Sequence, residues 1–241
     1  MLVFRRGGRS VRLSMGQSDG TLSLPAHIAT VPDAIASLAA GDVNGDGQVD
    51  LVAVTFGREI HSLVRTGDEW VPGPITAWSQ VLFSNTAEIE LIDVNGDGSR
   101  DLVVTRPNLF TGTFTDVRVG LGAGDGSFAP FQSLVSNGEA AVASRFADVD
   151  SDGDLDLVAC GYAVAGAGFF PVAVIRNDGA FPFDGANVTL IGTPDPIVQD
   201  LGVVVADEEG DGDLDIFFWS ALPGGSTVEI ASGDGAGGFS A

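Results

Sequence analysis

Four short stretches of this chain carry oxygen-bearing side chains at a spacing that suits a hard metal cation. In the first, residues 42–50, aspartate or asparagine stands at positions 1, 3, 5 and 9, and glycine stands at position 6. A loop that curls around an ion points alternate side chains inward, and Ca²⁺ takes roughly six to eight oxygen ligands. The glycine permits the sharp turn that such a loop requires. The pattern therefore predicts a calcium-binding loop.

The same spacing recurs three more times, with the first aspartates 51, 55 and 59 residues apart. Acidic turns without a metal are the less favoured alternative, because clustered carboxylates repel one another unless a cation offsets their charge. Mg²⁺ fits less well, since it prefers a small octahedral shell rich in water. The predicted ligands, which at position 7 include a backbone carbonyl, are Asp42, Asn44, Asp46, Gln48 and Asp50; Asp93, Asn95, Asp97, Ser99 and Asp101; Asp148, Asp150, Asp152, Asp154 and Asp156; and Asp207, Glu209, Asp211, Asp213 and Asp215.

The residues that follow each loop distinguish it from an EF-hand. An EF-hand loop has an acidic residue at position 12 and continues into a helix. Here position 12 is Ala53, Val104, Ala159 or Phe218. The apolar runs around these residues are short and rich in β-branched or aromatic side chains, which is typical of buried strands. We therefore expect each loop to connect two strands.

A second motif, an Asp-Gly hairpin turn followed by an apolar residue, marks each period of the sequence. It occurs at residues 122–128, 177–181 and 233–239, with a weaker form at 66–70 and another at 16–22. Each period then contains four antiparallel strands, with the metal loop between the first and the second. Four such strands in about 50 residues are the unit of a β-propeller blade. We predict an all-β chain that forms a propeller of four-stranded antiparallel blades.

The repeats divide the chain into one partial and four complete units within a single predicted propeller domain, residues 1–241. The boundaries are a partial blade at residues 1–30 and loop-bearing repeats at about 31–82, 83–137, 138–195 and 196–241. A propeller must satisfy its sheet edges. Either the leading strands complete a ring of about five blades, or the chain is a segment of a larger propeller.

Composition excludes several classes of protein. The net charge is −22, from 33 acidic and 11 basic residues, and 17 of the acidic residues lie in the four loops. Such a surface argues against nucleic-acid binding, which needs basic patches. The apolar runs are too short for a membrane span, and no export signal is visible in residues 1–10. Cys160, the single cysteine, excludes a disulfide framework and is expected to be a small buried side chain.

Catalytic chemistry has little support in the sequence. The two histidines, His27 and His61, belong to no motif, and surface or packing roles are expected for both. Zinc-protease, nucleophile-elbow and phosphate-loop motifs are absent from the sequence. The spacing of the carboxylates is explained by calcium, so a pair of catalytic acids cannot be singled out. We expect no enzymatic activity.

The loop pattern D-x-[DN]-x-D-G-x-x-D-[LI], present at residues 42–51, 93–102 and 148–157, resembles the FG-GAP/VCBS repeat family. The fourth copy departs from the pattern because Glu209 stands where aspartate or asparagine is usual, and its longer side chain either reaches the ion or crowds it. In this family the repeats bind calcium and build propellers, as in integrin α-subunit heads and some lectins. The resemblance implies a Ca²⁺ cofactor and an extracellular or cell-surface location.

The same resemblance implies a recognition or adhesion module, lectin-like in character, for a protein or glycan partner. The alternatives are a non-catalytic or scaffold propeller of a secreted polysaccharide-active enzyme and a purely structural cell-surface repeat. Open blade edges also leave room for self-association. Among the aromatic residues, Trp78 and Tyr162 are the expected surface candidates, whereas Trp70 and Trp219 are expected to be packing residues.

Overall fold

The computed structural model describes residues 2–4, 8–78, 88–106, 116–134, 143–164, 168–179, 181–184, 187–193, 202–222 and 225–240. Within these ranges every regular element is a β-strand, as the sequence predicts. The prediction of an all-β chain is confirmed for the described residues.

These strands form one three-stranded sheet and four four-stranded sheets, in which each strand pairs with its neighbours in sequence. Sheet A contains β1 (Leu2–Phe4), β2 (Ser10–Leu13) and β3 (Ala26–Thr30). Sheet B contains β4 (Ile35–Gly41), β5 (Asp50–Thr55), β6 (Glu59–Thr66) and β7 (Glu69–Ala77). Sheet C contains β8 (Glu88–Ile92), β9 (Asp101–Arg106), β10 (Asp116–Gly120) and β11 (Gln132–Ser133). Sheet D contains β12 (Ala143–Ala147), β13 (Asp156–Val164), β14 (Gly168–Ile175) and β15 (Val188–Ile191). Sheet E contains β16 (Gly202–Ala206), β17 (Asp215–Leu222), β18 (Gly225–Gly233) and β19 (Phe239–Ser240).

The predicted four-stranded antiparallel units are therefore present, and each candidate metal loop lies between the first and second strand of its sheet. By its internal contacts the chain divides into two compact units. The first comprises Met1–Asp93, Asp97–Val104 and Val119–Gln132, and the second comprises Val94–Gly96, Thr105–Arg118 and Ser133–Ala241. Sheets A and B belong to the first unit and sheets D and E to the second, whereas sheet C contributes residues to both.

In the first unit, apolar residues on opposite faces of sheet B pack against different neighbours. Successive side chains of a strand point to opposite faces, so a fully apolar strand such as β5 supplies two cores. Leu51 and Ala53 join a cluster with Val11 of sheet A. Val52 and Val54 join a second cluster with residues of sheet C. We call the face that packs on the preceding sheet the upstream face, and the opposite one the downstream face.

The second unit repeats this arrangement with sheets D and E. Val158 and Cys160 on the downstream face of sheet D pack against Ile216 and Phe218 on the upstream face of sheet E. Cys160 is fully buried in this cluster, and burial raises the pKa of its thiol to about 12. The expectation that it is a small buried side chain is confirmed.

The Asp-Gly hairpin of sheet C shows how neighbouring sheets within the first unit are attached. The backbone N–H of Gly126 donates to the carbonyl of Val43 at 2.9 Å, and the Ser62 hydroxyl donates to the carbonyl of Gly126 at 2.5 Å. The closing apolar residue of this hairpin, Phe128, enters the cluster between sheets B and C. The hairpin therefore joins the two sheets by polar and apolar contacts together.

The expected positions of two tryptophans are wrong. Trp78 is buried and stacks on Phe131, with ring centroids 4.8 Å apart and planes at 5°. Trp219 is 40 % exposed, although its place in an apolar strand indicated packing. Trp70 is partly buried against the cluster between sheets A and B, as expected. The side chain of Tyr162 lies outside the described residues.

In the described ranges, a search for helices long and apolar enough to cross a membrane finds none.

The hairpin of sheet A provides a control for the role of Phe128. Leu22 occupies the same position, because Gly16 and Leu22 form the same isolated bridge as Gly122 and Phe128. Leu22 is 48 % exposed, whereas Phe128 is 6 % exposed. We expect Phe128→Ala to lower the free energy of unfolding by about 3–5 kcal/mol, since it leaves a cavity between two sheets. Leu22→Ala should cost less than about 1 kcal/mol.

Denaturant unfolding of the two variants at low protein concentration measures this difference. Equal losses in both variants would show that Phe128 does not anchor its sheet.

Candidate metal centres

The first aspartate of each loop closes the turn by accepting a hydrogen bond from the glycine at position 6. This glycine has a positive φ in every loop, a conformation that favours glycine. The bonds are Gly47 to Asp42 at 2.8 Å, Gly98 to Asp93 at 2.8 Å, Gly153 to Asp148 at 3.0 Å and Gly212 to Asp207 at 3.0 Å. The same carboxylate–glycine contact therefore shapes all four loops.

The aspartate at position 5 makes the second repeated contact. Its carboxylate accepts the backbone N–H of position 7 in each loop: Gln48 to Asp46 at 2.8 Å, Ser99 to Asp97 at 2.8 Å, Asp154 to Asp152 at 2.9 Å and Asp213 to Asp211 at 2.9 Å. In the first loop the side-chain amide oxygen of Asn44 also accepts the backbone N–H of Asp46 at 3.1 Å. The chain thus follows one curled path four times, as the repeated spacing predicts.

The aspartate at position 9 is buried in every loop, and in the first, third and fourth loops each of its two oxygens accepts a backbone N–H. Asp50 accepts the N–H of Val43 at 3.1 Å on one oxygen and that of Arg65 at 2.8 Å on the other. Asp156 does the same with Val149 at 2.8 Å and Asn177 at 2.9 Å. This residue therefore ties the start of the loop to the end of the third strand.

The fourth loop repeats both contacts, and the second loop repeats the contact with the end of the third strand. Asp215 accepts the N–H groups of Glu208 at 2.8 Å and Gly233 at 3.0 Å, and Asp101 accepts that of Gly122 at 2.8 Å. The spacing of these aspartates in the sequence indicated only a metal ligand. Their invariable place at the first residue of a buried strand is the signal that could have indicated a structural bond. A carboxylate oxygen has two lone pairs, so this bond leaves one for a cation.

The third loop brings three carboxylates close enough to share one ion. One oxygen from each of Asp148, Asp150 and Asp156 lies within 4.8 Å of the other two. Oxygens on opposite sides of a Ca²⁺ ion, at about 2.3–2.6 Å from it, are about 5 Å apart, so this group fits the ion. The Oδ1 atom of Asp150 is also buried without a hydrogen-bond partner in the described structure. A cation beside the three carboxylates would supply the partner that this atom lacks.

A second group in the same repeat includes a residue that sequence reasoning missed. Asp150 and Asp152 meet Asp178, whose ligand oxygen lies within 4.8 Å of theirs. Asp178 belongs to the hairpin after β14, which the sequence analysis read only as a turn. The Asn187 amide donates to Asp178 at 2.6 Å and accepts from Arg176 at 2.8 Å. Spacing within one loop could not indicate a contact between loop and hairpin.

Within the described residues, groups of three acids this close occur only in the third repeat. The first two loops carry an asparagine at position 3, so their oxygen sets are less charged. In the fourth loop, Glu209 is exposed, and the charges of Asp215 and Asp211, together with slight burial, raise its pKa. The glutamate that departs from the pattern therefore adds negative charge to a loop that already repels it.

The pKa of a loop aspartate is lowered in the first loop and raised in the third. Burial tends to raise the pKa of Asp42, but the N–H groups of Gly47, Gly45, Asn44 and Asp46 outweigh it and hold the pKa below its usual value. In the third loop, burial and the charge of Asp152 raise the pKa of Asp150. Burial and this repulsion together outweigh the backbone bond and the charge of Arg176, and a bound cation would relieve the repulsion.

The two histidines do not form a site with each other in the described structure. His27 is exposed and its Nε2 lies 2.8 Å from the Thr30 hydroxyl. His61 is buried in β6, with Nε2 3.1 Å from a Glu59 carboxylate oxygen. Surface and packing positions are thus those that the sequence analysis expected.

The raised pKa of Asp156, the buried aspartate of the third loop, should make the stability of the metal-free protein depend on pH. Burial raises the pKa of Asp156 to about 6, whereas an unfolded aspartate titrates near 3.9. Its protonated form therefore stabilises the fold below about pH 4, and this contribution is lost as pH rises through about 6. Carboxyl ¹³C NMR in the presence of chelator should give a midpoint near 6, and Ca²⁺ should lower it.

Asp125 serves as the internal control for this titration, because bonds from the Ser127 hydroxyl and N–H hold its pKa below the usual value. A midpoint for Asp156 in the ordinary aspartate range, with chelator present, would contradict the prediction.

Comparison with known proteins agrees with this geometry. A model of the FG-GAP-like repeat matches residues 1–53 and 69–159, which is more than half of the chain. The matched residues include the first three loops, and residues 207–215 lie outside them. Curated protein sequences give no match to the chain. The chain belongs to the FG-GAP-like repeat family, as its loop pattern indicated.

Proposed function

We propose that this chain is a calcium-binding module of the β-propeller type, in which Ca²⁺ held by the four loops stabilises the blades. The five sheets are the blades, either of a ring of about five or of a segment of a larger propeller. The observation that carries the proposal is the group formed by Asp148, Asp150 and Asp156, whose oxygens lie within 4.8 Å of one another. The repeated backbone geometry extends it to the other three loops.

The chemistry of the donors selects the ion. Carboxylate, amide and carbonyl oxygens suit hard cations, and Ca²⁺ tolerates the irregular geometry of a flexible loop better than Mg²⁺ does. The one thiol, Cys160, is buried in an apolar cluster and is no ligand for a softer metal. Positions 1, 3, 5 and 9 of each loop would hold the ion with side-chain oxygens, and position 7 with its carbonyl. When bound, the ion supplies positive charge that offsets the repulsion between these carboxylates.

The ion would act mainly on stability. A ligand that binds only the folded state adds its binding free energy to the free energy of unfolding. At 100 times the dissociation constant, one site adds about 2.7 kcal/mol, which corresponds to about 5–10 °C in a protein of this size. Several occupied loops would therefore move the melting temperature by much more than the uncertainty of a calorimetric scan.

Differential scanning calorimetry in EDTA and then in millimolar Ca²⁺ tests the proposal. We expect a calcium-dependent rise of many degrees, and a smaller rise in Asp46→Ala, Asp97→Ala or Asp152→Ala, since each lacks one carboxylate of a site. The control is Asp125→Ala, which removes a turn carboxylate bonded to Ser127 outside the loops. It should shift the melting temperature equally in both buffers.

A calcium-independent melt in the unaltered chain would mean that the loops are acidic turns, and the proposed cofactor would be wrong. An equal response to millimolar Mg²⁺ alone would identify a different ion.

We further propose that the module is non-catalytic and acts outside the cell or at its surface, in recognition or adhesion of a protein or glycan. Calcium at millimolar concentration is available there for loops of moderate affinity. The net charge of −22 disfavours nucleic-acid partners. Binding residues tend to lie on loops that a rigid scaffold positions, which this architecture supplies.

A glycan array probed with and without Ca²⁺ separates this role from its alternatives. Calcium-dependent binding without turnover of the bound glycan is the expected result. Degradation of a bound glycan would instead favour a part of a polysaccharide-active enzyme. Absence of binding to glycans and to extracellular-matrix proteins alike would favour a purely structural repeat.

A further inference from the structure

We propose that the downstream face of sheet E docks on the upstream face of sheet A in a second copy of this chain, head to tail. The downstream face of sheet E consists of Val204, Phe217, Trp219, Val228 and Ile230. The upstream face of sheet A presents Arg12, Leu22 and His27. This inference goes beyond the proposed function, because it concerns how copies associate and does not depend on the metal.

The strand register shows that the downstream face of sheet E corresponds to the downstream faces of sheets B and D, which are buried. Trp219 pairs with Val228 across β17 and β18, as Cys160 pairs with Val172 in sheet D and Val54 with Ile60 in sheet B. Since directly paired residues share a face, the three pairs occupy the same place in three sheets. In sheets B and D this place lies beneath the next sheet.

The side chains on the downstream face of sheet E are much more exposed than those at the same positions in sheets B and D. Ile60 and Val172 are fully buried, but Val228 is 73 % exposed. Trp219 and Ile230 are each about 40 % exposed, at 40 % and 41 %. A row of large apolar side chains at a position that is otherwise buried indicates an interaction surface. Continuity with the two established sheet interfaces indicates that its occupant is another sheet of the same kind.

Sheet A offers the complementary surface. Leu22 occupies the hairpin position of Phe128, which in sheet C enters the cluster with the preceding sheet, yet Leu22 is exposed. Arg12 pairs with His27 on the face opposite Val11, and both side chains are exposed. The upstream face of sheet A therefore carries one apolar side chain in the docking position and two basic or titratable groups.

Charge favours this pairing over contact between two identical faces. The second residue of the loop is Val43 in sheet B and Val149 in sheet D, and both are buried in clusters with the next sheet. In sheet E this residue is Glu208, which is exposed at the edge of the downstream face. An acidic rim on sheet E and the Arg12 guanidinium on sheet A attract each other, whereas two copies of the sheet E rim would repel.

Sedimentation velocity over a range of concentrations, in millimolar Ca²⁺, tests the head-to-tail contact. We expect the unaltered chain to associate as concentration rises, and Val228→Asp and Leu22→Asp each to remain monomeric. Both positions are exposed, so the substitutions leave the folded monomer intact, which circular dichroism checks. The control is Ile75→Asp, an exposed apolar position on β7 outside both faces, and it should associate as the unaltered chain does.

Mixing the two monomeric variants identifies the geometry. The Val228→Asp copy retains an intact sheet A, and the Leu22→Asp copy retains an intact sheet E, so an equimolar mixture should form dimers and nothing larger. A contact between two identical faces would instead let one of the single variants dimerise on its own, Leu22→Asp through sheet E or Val228→Asp through sheet A, and this result would overturn the proposal. So would an unaltered chain that stays monomeric at every concentration, since each face would then be unoccupied or covered within one copy.

Charge reversal supplies a second, independent readout. Arg12→Glu should weaken association at least tenfold, and adding Glu208→Arg in the same chain should restore it, because the pair is re-formed with opposite signs. If the double variant does not regain the association of the unaltered chain, the proposed attraction between Arg12 and Glu208 is wrong.

Discussion

A buried carboxylate at the first residue of the second strand holds each repeat together. Asp50, Asp156 and Asp215 all accept one backbone N–H from the loop and another from the end of the third strand. Hydrogen bonds to a charged group contribute about 1.5–3 kcal/mol each, roughly twice a neutral bond. The loop, the second strand and the following hairpin thus depend on one side chain. Because it lies inside the sheet, its charge must be compensated locally.

In the third repeat, hydrogen bonds alone do not fully compensate the charge of the buried aspartate. The pKa of Asp156 stands at about 6 despite two backbone donors, since burial outweighs them and the neighbouring aspartates add to it. The charge of Arg176 acts in the opposite direction on Asp150 but does not cancel burial and the charge of Asp152. A divalent cation beside Asp148, Asp150 and Asp156 would complete the compensation. The structural clamp and the proposed metal ligand would then be two uses of one carboxylate.

Local periodicity made most of the fold predictable. Loop spacing, the apolar runs after each loop and the Asp-Gly turns depend on neighbours in sequence, and they indicated the strands, their order and the curled loop correctly. The residues that were misjudged depend on contacts distant in sequence. Trp78 lies in an irregular segment yet stacks on Phe131, and Trp219 lies in an apolar strand yet is exposed.

The curled path of the candidate loops was predictable for the same reason, whereas the assignment of their side chains to an ion stays a prediction. The ligand positions within each loop follow from alternation along a short segment, and the backbone bonds of the loops agree with it. Asp178 was missed because only the fold brings the hairpin of the third repeat to its loop. The bond from each position 9 aspartate to the third strand also spans distant residues, such as Asp215 and Gly233. Sequence spacing indicates which side chains can bind an ion, but tertiary contacts decide what else they hold.

Two separate interactions organise this family member, and they act at different levels. The aspartate clamp, together with its proposed ion, fixes the strands and the loop within one sheet. Apolar faces fix which sheet lies beside which, through clusters such as that of Val158, Cys160, Ile216 and Phe218. Because strand alternation generates both faces of every sheet, a sheet built like its neighbours presents an apolar downstream face whether or not that face is covered. The exposed row on sheet E is thus a direct consequence of repetition. Glu208, which replaces the buried valine of other loops, is the change that gives this face a charge of its own.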